Sequence, residues 1–169
     1  EEGTGMKASY DSLDAYIRSL TWAIETPCPQ YETIGVRVNG RWEQLNEHVL
    51  QIENEFYSTI RPKRPAASGE TALTALQRRG IEYVEVRCID VNPFSPVGID
   101  AQQIRFIDCF LLHCLTQPSP PCDEDEQARQ AANLETVVNR GREPGLELAG
   151  GEGSVPLQHW ADALIGAMQ

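Results

Sequence analysis

Apolar positions recur along this chain with two periods, and each period predicts a different element. Leu13, Tyr16, Ile17, Leu20 and Ile24 fall at helical spacing behind Ser12 or Asp11 as a cap, and Pro27 ends the pattern. Thr33 to Val38 and Arg41 to Leu45 flank Asn39-Gly40, the dipeptide best suited to a type I′ turn, so a β-hairpin is expected there. From Val49 to Ile60 the period is two. Leu50, Ile52 and Phe56 share one face of that predicted strand, and Gln51, Glu53, Glu55 and Tyr57 the other. Arg61-Pro62-Lys63-Arg64-Pro65 lacks two amide donors and reads as an exposed connection. A short helix anchored by Leu73 and Leu76 follows, capped by Ser68 and closed by Gly80.

Ile81 to Val91 has the most β-like composition. Glu82, Val84, Val86, Cys88 and Asp90 fall on one side, and Ile81, Tyr83, Glu85, Arg87 and Ile89 on the other. An acid and a base two residues apart amid Ile and Tyr suggest a strand that lines a cavity, because a half-buried structural strand normally segregates charge from apolar residues. Asn92-Pro93-Phe94-Ser95-Pro96 is a rigid exit. Asp100 and Gln103 form a capping box for what should be the longest helix, with Ile104, Ile107, Leu111, Cys114 and Leu115 as its core stripe. After a Pro-rich loop at 116–122, acids from Asp123 to Glu126 suit the positive end of a further helix that closes at Arg140-Gly141. A last amphipathic helix begins near Pro156 with Leu157, Trp160, Ala161, Leu164 and Met168 inward. Helical and strand periods in one chain without repeats give an α+β class, an antiparallel sheet with packed helices.

The chain's 169 residues, 41% of them hydrophobic, fit one domain with a real core. No apolar run approaches the ~20 residues that cross a bilayer. The net charge of −11, from 14 Lys and Arg against 25 Asp and Glu, disfavours nucleic acid and anionic lipid as partners. Residues 116–169 hold nine acids and three bases, so an anion site belongs upstream, near Arg61, Lys63 and Arg64. Five cysteines without a CxxC pair point to free thiols in a reducing cytoplasm. His48, His113 and His159 have no metal-ligand spacing. The opening Glu1-Glu2-Gly3-Thr4-Gly5 and the uncapped end at Gln169 read as those of a piece of a longer chain.

The residues that could carry chemistry are Glu85 and Arg87 on one strand, and Glu53, Asn54, Glu55 and Tyr57 on another. Carboxylates suit Mg²⁺ and a guanidinium fork suits phosphate or carboxylate, so a wall of this kind fits nucleotide chemistry. The same pattern equally fits an ion pair on a solvated sheet.

Leu50-Gln51-Ile52-Glu53-Asn54-Glu55-Phe56-Tyr57 with Ile60-Arg61-Pro62-Lys63-Arg64 resembles the proteobacterial glutamate-cysteine ligases. So does Gly80-Ile81-Glu82-Tyr83-Val84-Glu85-Val86-Arg87 with Asp90-Val91-Asn92-Pro93-Phe94-Ser95-Pro96, and the likeness extends to Gly141-Arg142-Glu143-Pro144-Gly145-Leu146. It weakens across 116–135. The resemblance implies that residues 1–169 are a single partial domain, the C-terminal portion of a glutamine-synthetase-like catalytic domain. The implied reaction is ATP-dependent ligation of L-glutamate to L-cysteine through a γ-glutamyl phosphate, the first step of glutathione biosynthesis in the cytoplasm. Glu85 would be a magnesium ligand, Arg87 would hold the transferring phosphoryl group or the substrate carboxylate, and Tyr57 would line the cysteine pocket. Arg61, Lys63 and Arg64 would help attract ATP. The family's other metal-binding carboxylates lie upstream of this chain, so the piece alone is expected to be inactive. Two other readings stand beside this one: a binding or regulatory module without catalysis, and a related carboxylate-amine ligase with another amine acceptor.

Overall fold

The computed structural model describes residues 6–169; the opening Glu1 to Gly5 lies outside the described residues. The described residues are α+β, with six α-helices and three two-stranded antiparallel sheets, and they divide into two compact units, Glu1–Asp90 and Val91–Gln169. No described helix is long and apolar enough to cross a membrane.

In the first unit, helix α1 (Leu13–Glu25) starts where the Ser12 hydroxyl accepts from the Ala15 N–H at 3.1 Å. Its apolar stripe buries Tyr16, Ile17, Leu20 and Ala23 against Val49, Leu50, Phe56, Leu73 and Leu76, and Leu20 is only 2% exposed. Helix α2 (Pro29–Ile34) has proline in its first turn, where the missing amide donor is not needed. It takes Thr33 and Ile34 out of the expected hairpin arm, which shrinks to β1 (Arg37–Val38) and β2 (Arg41–Trp42). The turn itself is as read: Asn39 and Gly40 sit at φ 50° and 83°, the two positive values a type I′ turn requires.

The strand expected over Val49 to Ile60 does not form. Leu50 and Phe56 reach the core, but the chain between them bends through a 3₁₀ turn, Glu53–Glu55. Two side-chain hydrogen bonds hold the bend. A Glu53 oxygen accepts from the Leu73 N–H at 2.9 Å and a Glu55 oxygen from the Gln51 N–H at 2.7 Å, so both acids fold back onto amides instead of alternating across a sheet.

Arg61 to Lys63 are likewise not an exposed connection. They belong to β3 (Ile60–Lys63), which pairs with β4 (Tyr83–Val86), the only part of Ile81 to Val91 that is strand. The register sets Ile60 opposite Val86, Arg61 opposite Glu85, Pro62 opposite Val84 and Lys63 opposite Tyr83. The Arg87 N–H donates to the Thr59 carbonyl at 2.8 Å, which fixes the hydrogen-bonded pairs at odd-numbered positions of β3. Pro62 therefore falls between ladder bonds, where a missing donor does no harm. Helix α3 (Ala72–Arg79) is capped by Thr71 rather than Ser68, and Gly80 ends it at φ 72°.

In the second unit, α4 (Ala101–Thr116) carries the expected capping box, with Asp100 and Gln103 bonded reciprocally at 2.9 and 3.0 Å. Helix α5 (Glu124–Arg140), capped by Asp123, is one residue longer than α4. A hairpin of β5 (Glu147–Ala149) and β6 (Ser154–Pro156), absent from the sequence reading, leads into α6 (Leu157–Ala167). Leu146 and Leu148 are buried. The expected α4 stripe is not a core: Ile104, Cys114 and Leu115 are exposed, as is Trp160 of α6, while Leu157, Ala161, Leu164 and Met168 are half-buried.

Candidate functional site

The pairing of β3 with β4 gathers charge on one face. Arg61 and Glu85 are cross-strand neighbours, Lys63 stands opposite Tyr83, and Arg87 follows two residues beyond Glu85 on the same side. One Arg87 Nη donates to a Glu85 oxygen at 2.9 Å, and Lys63 Nζ lies 3.7 Å from that same oxygen. The Arg87 guanidinium also stacks over the Tyr57 ring, 5.5 Å from its centroid. Tyr57 is 60% exposed, so one face of its ring holds Arg87 and much of the rest is open to a ligand.

The hydrogen bond from Arg87 holds the Glu85 carboxyl below the usual carboxylate range, partial desolvation opposes it, and the charges of Arg87, Lys63 and Arg61 add to the lowering. Glu85 is thus an ionised carboxylate facing two cations. This arrangement fixes Arg87 and leaves its remaining donors for an incoming anion, as a fork can.

The structure brings Tyr57, Lys63, Glu85 and Arg87 together and gives the other candidates different surroundings. Arg64 donates to the Gly80 and Arg79 carbonyls at 2.8 and 2.5 Å and to Glu82 at 2.9 Å, which ties its fork to the C-terminus of α3. Arg61 is buried, at 6% exposure. Glu53 and Glu55 bond to backbone amides as described above, and Asn54 lines a cavity of about 720 Å³ together with Lys63, Arg64, Tyr83, Asn46 and His48. That volume suits a small ligand. A hollow of about 750 Å³ against Tyr31, Ile34, Trp42 and Leu45 is lined by two acids and no base, and so offers nothing to an anion. The sequence reading gave no role to Asn46 or Tyr83 in a ligand pocket; their only signal was position, two residues before His48 and two before Glu85.

Among the described residues no three His, Cys, Asp or Glu side chains come together as a metal site. Glu85 is a single carboxylate with one oxygen already engaged by Arg87 and Lys63, so the residues present do not by themselves fit a magnesium ion.

A sheet face that carries guanidinium, ammonium and carboxylate groups on an α+β scaffold has the chemistry to meet an anion. The glutamate-cysteine ligase family model matches residues 1–137. A glutamate-cysteine ligase from Shewanella oneidensis is 53% identical over 95% of this chain and 31% of its own length. One from Pseudomonas putida is 49% identical over 98% of this chain and 31% of its own length. A solved glutamate-cysteine ligase from Francisella tularensis, in complex with AMP, superposes with a TM-score of 0.90 at 37% identity, over 98% of this chain and 34% of that one. The chain belongs to the glutamate-cysteine ligase family, and it spans about a third of the length of the relatives it matches.

Proposed function

We propose that residues 1–169 are the C-terminal portion of a glutamine-synthetase-like catalytic domain that ligates L-glutamate to L-cysteine at the expense of ATP in the cytoplasm, the first step of glutathione biosynthesis. The γ-phosphoryl group of ATP passes to a side-chain carboxylate oxygen of glutamate, releasing ADP. The amine nitrogen of cysteine then attacks the acyl carbon, phosphate leaves, and the amine proton is lost to solvent. Such a reaction needs positioning and charge neutralisation more than covalent help from the protein.

The observation that carries this reading is the Glu85–Arg87–Tyr57 group, in a chain of this family, with Lys63 beside it. Arg87 holds the transferring phosphoryl group or the substrate carboxylate, with its plane set by Tyr57 and one donor held by Glu85. Lys63 supplies a second, mobile positive charge and borders the cavity in which a nucleotide of this size fits. Tyr57 brings an exposed aromatic ring beside Arg87 to meet the amine substrate. The magnesium that the resemblance assigns to Glu85 requires further donors from the two thirds of the relatives' length that this chain does not span.

The test is ADP release with MgATP, glutamate and cysteine by the full-length protein, with Arg87→Lys and Glu85→Gln beside it. Arg87→Lys keeps the charge but loses the planar fork and the stack, and turnover should fall by about two orders of magnitude. Full-length protein that releases no ADP with cysteine, alanine or 2-aminobutyrate would overturn the ligase reading; turnover with another amine but not cysteine would overturn the acceptor.

A further inference from the structure

Arg61 differs from every other base in the described structure. It is the one charged residue that is buried among the described residues, and its Nε has no hydrogen-bond partner. Its charge acts on the Tyr16 hydroxyl, and the Tyr16 side chain is itself buried beside it. It shares a cavity of about 20 Å³ with Tyr16, Leu20, Glu53, Leu73 and Leu76, and Glu53, the acid in that lining, already accepts from the Leu73 amide. The Tyr16 ring meets Phe56 edge-on at 6.2 Å, and Phe56 is the neighbour of Tyr57. On the other side, Arg61 is the cross-strand neighbour of Glu85.

An incompletely bonded guanidinium in a core is a poor way to gain stability, because an apolar side chain of similar length fills the same space without the desolvation penalty. Its position explains it better. A charge inside a low-dielectric core is screened much less than a surface charge, so its effect on the neighbouring Glu85 depends little on salt concentration.

We propose that Arg61 is a positioning residue for the ligase reaction: a desolvated cation built into β3 that holds the Glu85–Arg87–Tyr57 group in one arrangement. It acts through its cross-strand neighbour Glu85 on one side and through Tyr16 and Phe56, the residue that precedes Tyr57, on the other. The inference rests on the ligase reading above and adds a residue that touches no substrate.

The experiment compares the full-length wild type with Arg61→Met, Arg61→Lys and Tyr16→Phe, measuring ADP release and thermal unfolding together. Arg61→Met should lower kcat by about ten- to a hundredfold, as misplaced groups do. The KM values for ATP, glutamate and cysteine should stay within about threefold, since no ground-state contact is removed. The unfolding midpoint should hold or rise, Arg61→Lys should recover part of the lost kcat, and the loss should be the same at low and high salt. Activity within about twofold of wild type in Arg61→Met, or a loss that follows a falling midpoint and is not rescued by lysine, overturns the proposal. If Arg61→Met does not fold, Tyr16→Phe decides: it keeps the ring and removes only the hydroxyl on which the Arg61 charge acts, and normal kcat there overturns the proposal. A wild type that releases no ADP fails earlier and for a different reason, because the ligase reading itself is then wrong.

Discussion

Replacing Leu20 by alanine probes the packing on which the site is built. Leu20 is the largest fully buried side chain among the described residues, at the contact between α1 and the Leu73–Leu76 face of α3. Three carbons leave the core, a transfer loss of about 2.4 kcal/mol. Leu20 and Arg61 line the same small cavity. The new void merges with that cavity, and the polar neighbour limits collapse, so the total should reach about 3–4 kcal/mol, within the range for buried leucines. For a chain of this length that lowers Tm by roughly 6–16 °C. Urea unfolding followed by tryptophan fluorescence reads it directly, since Trp22 and Trp42 both belong to the first unit. Leu115→Ala is the matched control: the sequence pattern makes Leu115 a core residue of α4, but its 81% exposure predicts a change within about 0.5 kcal/mol in the 169-residue chain. A Leu20→Ala loss below about 1 kcal/mol, or equal losses at both sites, would refute this account of where the core lies.

Two further predictions concern charge and caps. The Glu70 carboxyl is held down to about 2, against an ordinary 4.5, by the Arg79 fork at 2.9 and 2.7 Å and then by the Ala67 N–H at 2.9 Å. A folded-state value below the unfolded one gives stability that is present above about pH 4.5 and lost as pH falls toward 2; Glu70→Gln should flatten that part of the urea midpoint profile, and an unchanged acid slope in the variant would exclude the pair as its source. Asp100→Ala removes the carboxylate that accepts from the Gln103 N–H, while the backbone N–H at position 100 still donates to the Gln103 side chain, and should cost about 1 kcal/mol, seen as a loss of helical circular dichroism and a Tm lower by roughly 2–4 °C; no shift would mean that the Asn92 and Gln103 side chains hold the start of α4 without it.

What the sequence made legible was local. Ser12, Asp100 and Asp123 each bond an amide three residues ahead, and Asn39-Gly40 holds both positive φ values within two residues, so composition and short spacing were enough. The strand expected over Val49 to Ile60 failed because a period of two does not supply a partner. Between Val49 and Ile60 the alternation is real, yet Glu53 and Glu55 had amides within reach, and those bonds won over an extended backbone. Pro62 misled in the opposite direction: a proline bars a central strand, but in a two-stranded sheet it needs only a position between ladder bonds. The stripe on α4 shows the limit from another side, since an amphipathic pattern marks which face is apolar and carries no information about what covers it.

The same distinction orders the candidate site. Glu85 and Arg87 were readable because they are two residues apart and alternation puts them on one face, where the structure joins them at 2.9 Å. Tyr57 over Arg87 is a contact across 30 positions, and Arg61 behind Glu85 is a pairing across 24; neither has a local signature. Arg61 is the more instructive of the two. Within Arg-Pro-Lys-Arg-Pro, charge density argues for solvent, and Lys63 and Arg64 do keep partly exposed side chains. What separates Arg61 is register: as the cross-strand neighbour of Glu85 it sits in mid-strand next to α1, where it lines a small cavity with Tyr16 and Leu20. A buried base in such a run becomes visible only once the pairing is known, and it is then the residue whose replacement by an apolar side chain should separate stability from activity.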